Sequence, residues 1–140
     1  AINTLLTYKD RYHFEDIKDD PIVFFGFVKH VEIIGEAVYM LTKEFRAQHP
    51  EIEWDVIENM RHVLVHGYYT IKPQQVWDTI ETDIPTLKPE IERLIKEEEE
   101  NLKKLLGLDV QIVLQKKEAG KITISFHNQE EYQRFINSLK

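Results

Sequence analysis

The apolar residues of this chain change their spacing at Gly107, from a helical repeat to every second residue. No single regular element satisfies both periods, so the chain must build helices first and a strand pair afterwards. Val110, Ile112 and Leu114 alternate with Gln111, Val113 and Gln115. Glu118-Ala119-Gly120 marks a turn, and Ile122, Ile124 and Phe126 then alternate with Lys121, Thr123 and Ser125. This is a β-hairpin. Asn128 and Glu131 make a helix N-cap and its capping-box partner, and Tyr132, Phe135, Ile136 and Leu139 follow at i, i+3, i+4 and i+7. A lone hairpin with one helix is marginal, so this tail is expected to complete its core against a second copy of the chain.

Upstream of Gly107 the punctuation is helical. Residues 1–8 read as the tail of a helix through Ile2, Leu5 and Leu6, and residues 9–20 as a polar connecting loop. Asp20-Pro21 is a helix start, an N-cap acceptor followed by proline at the first helical position. That helix is expected to run to about His49, where Pro50 stops it. Phe24, Phe27, Val28, Val31, Ile34, Ala37, Val38, Leu41 and Phe45 form its apolar stripe. Gly26 and Gly35 either admit a neighbouring helix or weaken this one.

A third helix is expected over about Glu51 to His66, with Ile52, Val56, Ile57, Met60, Val63 and Leu64 inward and Gly67 ending it. After a short link a fourth begins near Pro73 and carries Val76, Trp77, Ile80 and Ile84. Pro85 bends or restarts the chain. A long helix then runs from about Thr86 to Gly107, its middle, Glu97 to Glu100, reading as a solvated face.

Charge is divided in the same way. Residues 1–100 carry 11 Lys+Arg against 21 Asp+Glu, and residues 101–140 carry 7 against 4, so −10 and +3 give the net −7. The acidic part disfavours a broad, sequence-blind grip on nucleic acid, though not a small basic site. The chain has no cysteine, which rules out disulfides and thiolate metal sites and fits a cytoplasmic home. The longest apolar stretch, Ile22 to Val28, is far too short to cross a bilayer. No signal peptide is evident, and the start at Ala1 without methionine leaves room for a preceding piece.

One run carries chemistry: Arg61-His62-Val63-Leu64-Val65-His66-Gly67-Tyr68. Arginine keeps its charge and forks onto phosphate oxygens, and histidine transfers protons near neutrality. Phosphodiester cleavage needs both. Five residues turn a helix by about 500°, so Arg61 and His66 lie roughly 140° apart and do not converge on one straight helix. Either the helix ends near His66 and frees the imidazole, or two chains pair symmetrically and share one cleft. The structural alternative pairs Arg61 with Glu58 and makes His66 a cation at a helix C-terminus. Glu58, His62 and His66 also share one stripe at spacing four, but the metalloprotease glutamate and a third strong ligand are lacking, so no metal is assigned. Trp54, Trp77, Tyr39 and Tyr69 read as core or dimer packing. His13, His30, His49 and His127 are given no role.

Residues 1–98 resemble the HepT toxins of the HEPN superfamily. The resemblance rests on R-x4-H-x-Y as Arg61, His66 and Tyr68, with the flanks Ile34-Gly35-Glu36-Ala37 and Ile84-Pro85-Thr86-Leu87. It implies a mainly α fold, an antiparallel HEPN-type bundle whose first helix is normally longer than here. It further implies a metal-independent, cofactor-free endoribonuclease homodimer. Arg61 would stabilise the phosphate, His66 would be the general base, and His62 would position substrate or share proton transfer. RNA would be cut by its own 2′-OH, leaving a 2′,3′-cyclic phosphate. The resemblance also implies a nucleotidyltransferase antitoxin that neutralises the toxin by adding AMP to Tyr68.

Residues 99–140 resemble the C-terminal dimerisation domain of ParB chromosome-partition proteins, on Asn101-Leu102-Lys103-Lys104-Leu105-Leu106-Gly107, the hairpin with Gly120-Lys121-Ile122-Thr123-Ile124, and the last helix. That resemblance implies pairing of two copies and, through Lys116, Lys117 and Lys121, a sequence-blind DNA contact. Two further readings compete with the nuclease: a non-catalytic dimeric module that docks a nucleotidyltransferase, and a DNA-partition piece carried by the tail.

Overall fold

The computed structural model describes residues 1–115 and 119–140. The chain divides into two units, residues 1–88 and 89–140.

The first unit is helical. Its elements are α1 (Ile2–Lys9), α2 (Phe14–Asp19), α3 (Pro21–Tyr39), α4 (Lys43–Gln48), α5 (Trp54–His66) and α6 (Pro73–Asp78), and α7 (Ile84–Leu106) begins in it. The Asp20-Pro21 start forms as expected, with the Asp20 carboxylate accepting from the Ile22 and Val23 N–H groups. Residues 9–20 are not simply a loop. Phe14–Asp19 closes into a short helix whose entry is sealed by His13 and Asp16, the His13 N–H donating to the Asp16 carboxylate at 2.8 Å.

The helix expected to reach His49 instead ends at Tyr39. Thr42 restarts it, its hydroxyl accepting from the Phe45 N–H, because a side-chain oxygen there competes for the backbone donors of the next turn. At Pro85 the chain does restart, since α7 begins one residue earlier, at Ile84. A π-helical turn over Thr79–Asp83 carries the Ile84 N–H to the Thr79 carbonyl and absorbs the register change before the proline.

The core is built on α3. Phe24, Phe27, Val28, Val31 and Ile34 pack with Leu5, Ile17, Leu64, Val76, Trp77 and Ile80. Leu5, Ile17 and Ile80 are essentially inaccessible. Phe27 sits edge-on to both Tyr12 and Trp77. Two residues placed inward from the sequence, Val56 and Val63, are more than half exposed.

In the second unit the expected hairpin forms. β1 (Asp109–Leu114) pairs antiparallel with β2 (Gly120–Ser125), Ile112 opposite Ile122. Gly107, at φ +64°, ends α7 in the left-handed conformation that favours glycine. Glu99 of α7 accepts the Ile112 N–H, a donor on the edge of β1 that β2 does not use. Leu108 and Val110 are buried, but Leu114, Ile122, Phe126 and Leu139 remain more than half exposed. Lys121 is exposed on β2; Lys116 and Lys117 of the expected basic patch, and Glu118 of the turn, lie outside the described residues.

The last helix, α8 (Gln129–Ser138), is capped by Asn128, whose side chain accepts from the Glu131 N–H at 2.9 Å. The Glu131 carboxylate reaches back one residue further than expected, to the His127 N–H. That backbone hydrogen bond is the main reason its pKa lies below the ordinary value, with the His127 imidazole adding to it. A depressed carboxylate stabilises the fold above its ordinary pKa, and the contribution is lost as pH falls through the lower folded-state value. Acid is therefore expected to fray α8, read as protection lost at the 127–132 amides in hydrogen exchange. Asn128→Ala is expected to cost about 1 kcal/mol in the same unit at neutral pH.

Candidate functional site

Helix α5 carries the run. Its start is fixed by Trp54, a buried side chain whose indole N–H donates to the His49 carbonyl at 2.8 Å. Ile57, Met60 and Leu64 face the core, which turns Arg61 toward α3. Gly35 makes that approach possible. A Cβ there would collide with the Arg61 Cβ and stand 3.2 Å from the Ile57 carbonyl oxygen. One residue on, Glu36 accepts from the Arg61 Nε, and one helical turn on, the guanidinium carbon lies 4.8 Å from the Tyr39 ring centre. Arg61 is thus held by Gly35, Glu36 and Tyr39.

The expected surface pairing of Arg61 with Glu58 is not what forms. Glu58 is taken by Arg46, whose guanidinium donates to it at 2.5 Å and to the Val38 carbonyl at 2.7 Å. Among the described residues no acceptor bonds the two terminal nitrogens of Arg61, so they remain available for an anion.

His62 and His66 both stand exposed, their rings 4.7 Å apart. His66 is the last residue of α5. Gly67 ends the helix, but not by a left-handed turn, since its φ is −113°. It is needed for closeness: a Cβ would meet the Val63 carbonyl oxygen at 2.9 Å and the Thr70 hydroxyl at 3.0 Å. The chain then winds through a 3₁₀ turn over Tyr68–Thr70, leaving Tyr68 and Tyr69 exposed and edge-on to each other.

Arg61 and His66 do not touch within one chain. The first contacts α3, the second contacts His62. Among the described residues no group of three or more His, Cys, Asp or Glu is placed to hold a metal ion. Of the aromatic residues read as packing, Trp54 and Trp77 are buried, whereas Tyr39 and Tyr69 are more than half exposed. Glu36 and Tyr39 were not assigned to the site from the sequence. Their signal is positional: an acid and an aromatic i, i+3 on a helix, beside a glycine that draws a second helix in.

A helical body with an R-x4-H-x-Y run at the exposed end of one helix defines the HEPN class. Within it, the chain belongs to the family described as Ribonuclease HepT-like, whose model matches residues 1–94. The model of the ParB dimerisation domain matches residues 88–140. The chain is 40% identical over 85 residues to "Putative RNase TTE0752" of Caldanaerobacter subterraneus subsp. tengcongensis, covering 61% of this chain and 76% of that protein. It is 35% identical over 96 residues to "Probable ribonuclease HepT" of Thermococcus cleftensis, covering 69% and 87%. No solved structure matches. No helix among the described residues is long and apolar enough to cross a membrane.

Proposed function

We propose that the chain is a metal-independent endoribonuclease that works as a homodimer, with Arg61 and His66 of both copies around one cleft. The observation that carries this reading is the division of labour on α5. Arg61 is locked by Glu36 and Tyr39 with its terminal nitrogens free, while two imidazoles stand exposed beside each other. A fixed cation and mobile proton carriers are what in-line attack on phosphate requires.

In the reaction, His66 takes the proton of the RNA 2′-OH as the 2′-oxygen bonds to phosphorus. The bond from phosphorus to the 5′-oxygen breaks, and that oxygen receives a proton from a second imidazole, His62 or His66 of the other copy. Arg61 neutralises the charge gathering on the non-bridging oxygens. Exposed apolar side chains support pairing: Met40, Val56 and Val63 in the first unit, Leu114, Ile122 and Phe126 in the second. Tyr68, exposed two residues beyond His66, is the proposed AMP acceptor for a nucleotidyltransferase antitoxin. A nucleotide attached there adds negative charge beside the phosphate site.

The test is cleavage of end-labelled RNA in EDTA, with the product ends identified. Metal-independent cleavage leaving a 2′,3′-cyclic phosphate is expected. A folded, dimeric chain that cuts nothing, or cuts only with added metal, would overturn the reading.

A further inference from the structure

We propose that the groove between α3 and the C-terminal end of α5 is a nucleobase subsite: Phe25 and Tyr68 take the face of an RNA base, and Glu32 with Lys29 reads its edge. The inference rests on the ribonuclease reading above. Phe25, Val28, Lys29 and Glu32 fall at i, i+3, i+4 and i+7 and so share one face of α3. Val65 of α5 and Tyr68 of the 3₁₀ turn form the opposite wall, and the space between is about 410 Å³, within the range of small-molecule sites.

Two aromatic rings are left in water on this groove, Phe25 at 46% and Tyr68 at 63% exposure. An aromatic face in water is a stacking surface for a base. The polar pair selects what part of RNA can enter. Lys29 donates to Glu32 at 2.6 Å, the lysine largely exposed and the carboxylate less so. A carboxylate repels phosphate and accepts from N–H groups, so it favours a base edge over the backbone. The amino groups of guanine, adenine and cytosine satisfy it better than the edge of uracil. Val65 and Tyr68 flank His66 in sequence, so a base seated here holds its own sugar and phosphate at the imidazole end of α5.

The full chain carrying His66→Ala, which binds without cutting, is titrated with fluorescein-labelled hexamers of each of the four bases, alone and with Phe25→Ala, Phe25→Trp or Glu32→Gln added. Cleavage sites of the otherwise unaltered chain and of its Phe25→Ala form are mapped on one mixed-sequence RNA. Phe25→Ala is expected to weaken binding about tenfold, and Phe25→Trp to keep it. Glu32→Gln is expected to shrink the preference over uracil severalfold. Equal binding of all four hexamers by the parent and both weakened variants, with the fold intact by circular dichroism, overturns the subsite. Cleavage that keeps the same site pattern in Phe25→Ala also overturns it and leaves the nuclease reading standing. Base-selective, Phe25-dependent binding without any cleavage supports the groove and sinks the nuclease reading instead.

Discussion

His66→Ala is expected to lower RNA cleavage by about 10²–10⁴-fold, the range for losing a general base, with almost no loss of stability. The imidazole stands exposed at the last turn of α5, and its ring neighbour is His62. Exposed substitutions of this kind change stability by about 0.5 kcal/mol at most. Single-turnover cleavage beside a thermal melt separates the two effects. A variant that cuts at the unaltered rate removes His66 from the mechanism.

Arg61→Ala is expected to behave differently. It loses cleavage too, but it also strips Glu36 of its partner and the Tyr39 ring of its cation, so its melt falls as well. Arg61→Lys keeps the charge without the planar fork and is expected to recover stability better than rate.

The second large effect concerns packing. Gly35→Val is expected to cost about 1–3 kcal/mol through overpacking and to reduce cleavage along with it. The obstructing atom is the Cβ of Arg61, backed by the Ile57 carbonyl. Neither is the free end of a flexible side chain, so α5 itself must move, and the arginine moves with it. Gly26→Ala is the control on the same helix. Nothing lies within 4 Å of a Cβ at Gly26, so the change is expected to raise stability by about 0.4–1 kcal/mol. Denaturant melts of the two variants decide the matter. A Gly35→Val chain as stable and as active as the unaltered one would mean that close contact of α3 and α5 does not place the site.

The features that were legible in the sequence are those written in a few adjacent residues. Asp20-Pro21, the alternation on either side of the hairpin turn, Gly107 and the Asn128 cap each specify a local geometry that nothing distant opposes. The break at Tyr39 was hidden because the apolar stripe continues past it to Leu41 and Phe45, while the deciding group is one hydroxyl on Thr42. Phe14–Asp19 was hidden by its polarity, since only Ile17 is buried there. Pro85 was legible as a restart, since α7 begins at Ile84, but the π turn before it was not, because nothing in the spacing of residues 79–83 marks it.

At the site, the end of α5 at His66 before Gly67 was legible in the run from Arg61 to Tyr68. The grip of Glu36 on Arg61 was not, because the two residues stand twenty-five apart and meet only through the bare backbone at Gly35. Local spacing favoured Glu58, which has Arg46 instead.

The placement of the two tryptophans gives this molecule an optical label on one unit only. Trp54 and Trp77 are both buried within residues 1–88, at 5% and 6% exposure, and the chain from Pro89 onward contains no tryptophan. Indole emission therefore follows the unfolding of the helical unit alone. The hairpin and last helix are silent to it and are followed instead by circular dichroism or by the signals of Phe126, Tyr132 and Phe135. Melts followed both ways resolve, without any added dye, which half of the chain a given substitution has loosened.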